Sequence, residues 1–281
     1  LTCFLAPENT RDAIFEAMRR RHHYATTGCR MAMDVRCTFQ EGGTLFRRNP
    51  DAVPDAKTDT VTSAIMGDIV QTSAGTVTLS VDLRAHVGIE KVELRRESET
   101  LETIRPYGVE DLGNRVRVIW SGAEYRGRGR NSRWLGRANL DAAKILRMEP
   151  INRWNPERPL ELRGVQQAIW DSVTTGNLAG MDLWLDGLAG DCHLTTNLGE
   201  MGVDLSSLGL DAMIASFGGL ARQLCVTRLP DTALARNLRF QRNVSLNAQG
   251  DTPIWICVTT EDGHQAWSSP IYLFQEGNTP K

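Results

Sequence analysis

The stretch that decides the fold class is Thr76-Val77-Thr78-Leu79-Ser80-Val81-Asp82-Leu83-Arg84. Apolar and polar side chains alternate through it without a break, so every second side chain lies on the same face of an extended chain. The pattern predicts a β-strand with one buried and one exposed face. Arg115–Trp120 repeats the alternation, and Lys91–Arg95, which follows Gly88, suggests an antiparallel partner for the first strand.

Short strand-like segments continue along the chain, separated by turns rich in Gly, Pro, Asn and Asp. They are Val165–Trp170, Met181–Asp186, Cys192–Leu198, Gln223–Leu229, Leu238–Leu246, Ile254–Thr259 and Pro270–Phe274. Asp182 and Asp186 alternate with leucines, which predicts a solvent-facing side for that strand. Many short strands with few helix signals indicate a mainly β protein built as an antiparallel, jelly-roll-like β-sandwich.

Three segments carry weaker signals. Leu140–Met148 fits either a short helix or a strand, and Ser206–Ala215 fits a short helix or a turn. Glu41–Thr60 is rich in Asp, Pro, Gly and Thr, which predicts a loop.

The first 28 residues follow a different pattern. Leu1–Leu5 is an apolar run of strand length, and Arg11–His23 has apolar residues at helical spacing on one face. Asn9 or Thr10 can cap that helix. Because one strand and one amphipathic helix cannot bury an apolar face alone, we expect them to be the last strand–helix unit of a larger domain, and we expect this chain to be part of a longer protein.

Composition excludes several classes of protein. The net charge of −2 gives no general attraction to nucleic acid, and no apolar run reaches the roughly 20 residues of a membrane span. None of the six cysteines forms a Cys-x-x-Cys pair, so neither a zinc ribbon nor a redox motif is predicted. We expect the cysteines to be free thiols, with those of Cys192, Cys225 and Cys257 buried. Free thiols slightly favour a cytoplasmic location. The sequence otherwise leaves the compartment unknown.

Two motifs at opposite ends of the chain carry a family resemblance. The first runs Pro7-Glu8-Asn9-Thr10-Arg11-Asp12-Ala13-Ile14-Phe15-Glu16-Ala17-Met18 and continues at Tyr24-Ala25-Thr26-Thr27-Gly28-Cys29-Arg30. The second runs Ile254-Trp255-Ile256-Cys257-Val258 and continues at Asp262-Gly263-His264-Gln265-Ala266-Trp267-Ser268-Ser269-Pro270-Ile271-Tyr272. In this order the two motifs resemble a bacterial family, domain of unknown function 3604.

The resemblance implies a hydrolase of the polymerase-and-histidinol-phosphatase (PHP) type. Such proteins hold a cluster of divalent metal ions (Mn, Zn or Fe) with His, Asp and Glu side chains of an α/β barrel. In the family those ligands belong to motifs that precede the stretch similar to Leu1, the last of them an Asp-Asn-His segment. This sequence contains none of these motifs, so the resemblance implies no catalytic residue and no metal ligand in this chain.

On this basis residues 1–28 are expected to be the terminal strand–helix remnant of a PHP-like barrel, and residues 29–281 a β-sandwich domain. The expected function is the C-terminal β-sandwich portion of a metal-dependent, phosphoesterase-like hydrolase, with a structural or substrate-gating role and the upstream catalytic barrel as its partner. The alternative is a non-catalytic sandwich module that binds carbohydrate or another polar ligand. A third interpretation is a truncation product with no activity of its own.

Five residues are candidates for binding. Arg126, Arg128 and Arg130 lie on a glycine-rich segment, where guanidinium groups could hold a phosphate or carboxylate of a small anionic substrate. The alternative for them is a solvated hairpin loop paired with local carboxylates. Glu8 and Arg11 lie where a βα loop would open onto the active-site face of a barrel, which the resemblance implies. Their alternative role is helix capping and surface pairing.

Histidines and tryptophans carry weaker hypotheses. His22 and His23 at a helix end are expected to interact with terminal carbonyl groups rather than with a metal. His193, next to Asp191 and Cys192, shows no recognisable ligand spacing. The seven tryptophans are expected to pack in the sheets, with Trp184 and Trp255 as the ones that could face outward and stack on sugars.

Overall fold

The computed structural model describes residues 1–53 and 55–275. Strands account for 57% of the residues and helices for 5%, in several antiparallel sheets. The predicted mainly β, antiparallel fold class is therefore confirmed. Pro54 of the expected loop and residues 276–281 of the expected second domain lie outside the described residues.

The strands follow one another along the whole chain, with one α-helix, α1 (Arg11–Arg19), near its start. The first eight are β1 (Thr2–Phe4), β2 (His23–Thr26), β3 (Met31–Phe46), β4 (Thr58–Ile65), β5 (Ile69–Thr72), β6 (Thr76–Ala85), β7 (Ile89–Arg96) and β8 (Glu99–Ile104). Ten more are β9 (Arg115–Ala123), β10 (Ser132–Leu140), β11 (Ile145–Ile151), β12 (Leu160–Arg163), β13 (Gln167–Thr174), β14 (Leu178–Leu185), β15 (Asp191–Thr196), β16 (Gly199–Asp204), β17 (Met213–Ser216) and β18 (Leu220–Leu229). The last four are β19 (Asn237–Ser245), β20 (Thr252–Thr260), β21 (Gln265–Ser268) and β22 (Ile271–Gln275). Short 3₁₀ helices span Val109–Asp111 and Leu205–Ser207.

Contacts between Cα atoms divide the chain into two compact units. Unit 1 comprises Leu1–Pro106 together with the segment from Leu234 onward, and unit 2 comprises Tyr107–Ala233. This division differs from the expected boundary at residue 28, because β1 and β2 join the same sheet as β20, β21 and β22. Whether residues 1–28 correspond to part of a barrel stays a prediction.

Unit 1 is built on one branched sheet of 12 strands, whose main path is β1-β2-β21-β20-β22-β5-β3-β6-β19. β4 pairs with β3, and β7 pairs with β20 and β8. All of these pairs are antiparallel except β22 with β5. Alternate side chains of β3, β6 and β20 are buried in a single hydrophobic cluster, so burial of the predicted period-two faces stabilises this unit.

The alternation at Thr76–Arg84 is confirmed as β6, but its predicted pairing is wrong. Lys91–Arg95 lies in β7, and β6 instead pairs with β3 and β19. The predicted loop at Glu41–Thr60 is also wrong at both ends, because residues 41–46 continue β3 and residues 58–60 begin β4. The register between β3 and β4 shifts between Thr38 and Gly43. Gly43 is required there, because a Cβ atom would lie 2.8 Å from the Val70 side chain.

Unit 2 is a β-sandwich of two five-stranded antiparallel sheets. One sheet has the order β12-β13-β10-β15-β16, and the other has the order β11-β14-β9-β18-β17. Val118, Trp120, Trp134, Trp170 and Leu183, with buried residues from both sheets, form one hydrophobic cluster between them. Leu140–Met148, ambiguous in the sequence, contains the start of β11. Ser206–Ala215 contains the end of one 3₁₀ helix and the start of β17.

The predicted solvent-facing side of β14 is wrong at Asp182. This carboxylate is buried, and it accepts hydrogen bonds from Nε of Arg117 at 2.8 Å and Nε of Arg115 at 3.1 Å. Burial alone raises the pKa of Asp182, but the Arg117 and Arg115 guanidinium groups outweigh it and hold this pKa below its usual value. The three residues form a buried ion network on β9 and β14.

Among the described residues no helix has the length and apolar character that a membrane crossing requires. α1, with nine residues, begins at the Thr10 cap, whose Oγ1 accepts from the Ala13 amide at 3.3 Å. This confirms Thr10 rather than Asn9 as the cap. The helix is shorter than the predicted Arg11–His23, because Arg21 adopts a left-handed φ of 59° and β2 begins at His23.

Candidate functional site

The end of α1 in unit 1 is fixed by a buried polar cluster around Asp68, a residue the sequence analysis did not single out. Asp68 Oδ1 lies 2.8 Å from Nε2 of His22 and 3.3 Å from a terminal nitrogen of Arg20. Its Oδ2 accepts from the Ile65 amide at 2.9 Å. His22 therefore contacts a carboxylate and not the terminal carbonyl groups that the sequence suggested.

These contacts determine the charge of Asp68. Burial alone raises its pKa, but the hydrogen bonds from His22 and Ile65 and the positive charges of His22 and Arg20 outweigh burial, so the pKa of Asp68 is lowered. The adjoining turn is equally tight, since Nε of Arg21 donates to the Gly67 carbonyl at 3.0 Å. A Cβ atom on Gly67, whose φ is +94°, would lie 2.4 Å from the Arg21 backbone. These contacts hold the end of α1 against the turn between β4 and β5.

Glu8 lies in the turn before α1 and Arg11 is the first residue of the helix, and both are exposed. Glu8 Oε1 accepts from Oγ1 of Thr10 at 3.1 Å, so it supports the helix cap. The Arg11 guanidinium lies 5.5 Å from the centre of the Phe15 ring. Both side chains are accessible to a partner, and both have local structural contacts.

Arg126, Arg128 and Arg130 lie in unit 2 on the fully exposed connection between β9 and β10. This connection joins the two sheets of the sandwich, so it is not the hairpin loop considered as their alternative. The hydroxyl of Tyr125 donates to the Gly129 carbonyl at 3.1 Å and closes the turn. Gly127 and Gly129 adopt positive φ values of 117° and 75°, which favour glycine.

A pocket in unit 2 brings together residues that the sequence analysis did not connect. Its cavity volume is about 30 Å³, and it opens to solvent. Its aromatic lining is Trp120, Trp154 and Trp170, and its charged lining is Arg153, Arg158 and Asp171. The segment between β11 and β12 contributes Trp154, whose side chain is 66% exposed.

The two inner tryptophans are stacked. Trp120 of β9 and Trp170 of β13 lie with ring centres 4.8 Å apart and planes 6° apart, and both are buried. Among the described residues neither indole Nε1 has a hydrogen-bond partner. Gly136 makes room for Trp170, because a Cβ atom there would lie 2.1 Å from the indole ring.

Charges around the pocket are held in a fixed arrangement. Asp171 accepts from NH2 of Arg133 at 2.8 Å and from NH1 of Arg158 at 2.7 Å. The hydrogen bond from Arg133 is the main cause of the lowered pKa of Asp171, which burial opposes. NH2 of Arg153 donates to the carbonyl groups of Pro156 and Arg158 at 2.7 and 2.8 Å, which closes the loop over the pocket.

The tryptophans that the sequence singled out for stacking have other contacts. The guanidinium groups of Arg115 and Arg147 lie over the Trp184 ring, 4.7 and 4.2 Å from its centre. The Trp255 ring lies 5.2 Å from the guanidinium of Arg95, and its Nε1 donates to the Glu97 carbonyl at 2.9 Å.

One group in unit 2 has side chains of metal-ligating type within reach of one another. Ligand atoms of Asp141, Asp191 and His193 lie within 4.8 Å of each other, and all three residues are exposed. The pairing of Leu140 with Cys192 in β10 and β15 produces this proximity, which the sequence spacing could not show. Exposed acidic groups commonly lie this close without an ion.

The six cysteines all lie in the described part of the chain, and no disulfide bond joins any of them. Cys192 and Cys257 are buried, as predicted, whereas Cys225 is only half-buried. Burial raises the pKa of the Cys37 and Cys192 thiols to about 12.

Comparison with known proteins gives one match. No curated protein and no solved structure matches the chain. Residues 1–82, which contain the first of the two motifs quoted above, match the model of the family described as Protein of unknown function (DUF3604).

Proposed function

We propose that this chain is the C-terminal, non-catalytic part of a PHP-type metal-dependent hydrolase of the phosphoesterase class. The family match over residues 1–82 and the resemblance of both motifs support this assignment. The metal ions, of the Mn, Zn or Fe type, would be held by an upstream barrel of the same protein.

One observation carries the structural role. Within the matched segment, the buried carboxylate of Asp68 is surrounded by the His22 ring, the Arg20 guanidinium and the Ile65 amide. Removing one partner of such a buried cluster is costly, because the other polar groups are left without their acceptor. The segment therefore uses its buried polar groups to fix α1 on the sheet. Glu8, just before that helix, and Arg11, its first residue, are exposed and would contact a substrate or a catalytic domain.

A metal-dependent phosphoesterase assay tests the proposal. The 281-residue chain and the product of the whole reading frame that contains it are incubated with bis(p-nitrophenyl) phosphate and Mn²⁺ or Zn²⁺. We expect hydrolysis only by the longer product, and its loss with a chelator. Metal-dependent hydrolysis by the 281-residue chain itself would contradict the non-catalytic role.

A double substitution then distinguishes substrate gating from scaffolding. In the longer product, Glu8→Gln with Arg11→Gln should raise KM without changing the melting temperature if these side chains face the substrate. If neither KM nor kcat changes, the result supports only the structural role. Arg84→Gln, at another exposed position of unit 1, serves as the control.

A second candidate function is the non-catalytic binding module. It is favoured by a specific observation, the tryptophan-lined pocket of unit 2 with an exposed indole at its edge. Sandwich units with such a pocket can bind a ligand whether or not the rest of the protein is an enzyme.

A further inference from the structure

We propose that the pocket lined by Trp120, Trp154 and Trp170 binds one acidic sugar residue, a pyranose ring that carries a carboxylate. This inference rests on the binding-module candidate and specifies its site and ligand. It does not depend on the hydrolase assignment, because all residues involved belong to unit 2.

The first argument is the exposure of Trp154. Large aromatic side chains in a sandwich are ordinarily buried, yet Trp154 is 66% exposed beside a cavity whose other two tryptophans are buried. An indole face of this kind offers flat apolar area without a conformational change. The C–H face of a pyranose ring is a suitable partner for it, because it is apolar while the ring edge carries hydroxyl groups.

The second argument is the hydrogen-bonding state of the inner pair. Trp120 and Trp170 are each about 97% buried or more, and neither Nε1 has a partner among the described residues. Buried donors are nearly always satisfied, so a donor without a partner indicates a missing acceptor. The Trp170 Nε1 lies on the Gly136 side of its ring. Both nitrogen atoms are closed to solvent, so an oxygen that enters the pocket reaches the Nε1 of Trp120 only if the ring shifts.

The third argument is charge. The pocket is lined by the guanidinium groups of Arg153 and Arg158 and by one carboxylate, Asp171, which is also paired with Arg133. Two positive residues and one negative residue therefore line the pocket, and the negative one is also paired with an arginine outside the lining. Guanidinium groups bind carboxylates through charge-assisted hydrogen bonds, so the excess positive charge favours an acidic sugar over a neutral one.

The size of the pocket limits how much of the ligand enters. The cavity volume of about 30 Å³ is far below the roughly 300 Å³ or more of sites that enclose a whole small molecule. The sugar ring therefore lies outside the cavity, stacked on the exposed Trp154, and only one small polar substituent enters toward the buried pair. A longer chain would continue into solvent from the same ring.

The test is isothermal titration calorimetry of the 281-residue chain with trigalacturonate, and with cellotriose as a neutral trisaccharide. We expect binding of trigalacturonate that weakens as NaCl is raised. Trp154→Ala should weaken it about tenfold or more, as for an aromatic contact residue in a binding site. Leu146→Ala, at a position 68% exposed in the same unit and outside the pocket, should leave it unchanged.

Each other result has a defined meaning. Binding that survives Trp154→Ala would overturn the pocket assignment but leave the binding module intact. Preference for cellotriose would overturn the acidic-sugar assignment. Absence of binding to either sugar at millimolar concentration would overturn both the site and the module, while the phosphoesterase assay would still decide the hydrolase proposal. Because Trp154 is exposed, its substitution is expected to leave the melting temperature unchanged, which circular dichroism checks.

Discussion

Asp68 Oδ1 lies 2.8 Å from Nε2 of His22, although 46 positions separate the two residues in the sequence. The contact joins the end of α1 to the turn between β4 and β5, and the same carboxylate also receives the Arg20 guanidinium. A short helix of nine residues is not stable by itself in water. Its position in unit 1 therefore depends on tertiary contacts such as this one.

We expect Asp68→Ala to lower the free energy of unfolding of unit 1 by about 3 kcal/mol, because it leaves a buried imidazole and an amide without their acceptor. Urea unfolding measures the change, and hydrogen exchange of the α1 amides locates it. Asp59→Ala, which removes the exposed ion pair with Arg47, is the matched control and should change little. Equal effects of the two substitutions would contradict the role of the buried cluster.

Acid should destabilise the chain through Asp68 and Asp182. Both pKa values are lowered in the folded state, so the unfolded chain, with an aspartate pKa of about 3.9, binds these protons more tightly. The stabilisation from these two carboxylates is fully present when the pH is above the aspartate pKa of the unfolded chain. It is lost as the pH falls through the lower pKa values that they have in the folded chain. We expect the melting temperature to drop steeply below about pH 4.

Asp182→Asn isolates the contribution of unit 2 to this pH dependence. The variant should be less stable at pH 7, because two buried guanidinium groups lose the Asp182 carboxylate, and its melting temperature should depend less on pH between about 4 and 2. Thermal unfolding by circular dichroism across this pH range measures both effects. A variant with the same acid profile as the original chain would show that Asp182 is not responsible.

Gly136→Ala should destabilise unit 2 by about 1–3 kcal/mol, because the new Cβ atom would lie 2.1 Å from the Trp170 ring. The ring belongs to the stacked pair in the core, so it has little room to move. Gly187→Ala, where a Cβ atom meets nothing within 4 Å, should stay within about 0.5 kcal/mol of the original chain. Denaturant unfolding followed by tryptophan fluorescence compares the two variants.

Thiol labelling should report the opening of each unit separately. Cys37 lies in unit 1 and Cys192 in unit 2, and burial raises both pKa values to about 12. At pH 8 only about one thiol in ten thousand would be ionised, so reaction with iodoacetamide should await unfolding. Pulsed labelling with increasing urea, read by peptide mass spectrometry, gives one curve for each cysteine. Rapid labelling in native buffer would contradict the burial of these thiols.

The sequence predicted which faces of the strands are buried far better than which strands pair. The alternation in β6 follows from side chains pointing to opposite faces, a local property. Its partners β3 and β19 come from distant parts of the chain, whereas the nearby Lys91–Arg95 segment pairs with β20 and β8. Pairing depends on how the whole core closes, which no local pattern records.

The same limit explains Asp182 and the pocket. An aspartate among leucines predicts a solvated face, unless the neighbouring strand supplies cations at the matching register, as Arg117 does. Arg126, Arg128 and Arg130 could be found from local composition, whereas Glu8 and Arg11 were singled out through the family resemblance, and all five are exposed. The grouping of Trp120, Trp154 and Trp170 could not be predicted from local composition, because it requires two strands and a loop that lie apart in the sequence.

Unit 2 is inserted in the sequence of unit 1, between Pro106 and Leu234. The hydrophobic cluster of unit 1 needs Ile254, Ile256 and Ile271 from the late strands β20 and β22. During synthesis on the ribosome, all strands of the unit 2 sandwich are therefore made before β20 and β22, which unit 1 needs for its sheet. Unit 2 can therefore complete its core during translation before unit 1 can, although the first segment of unit 1 leaves the ribosome earlier.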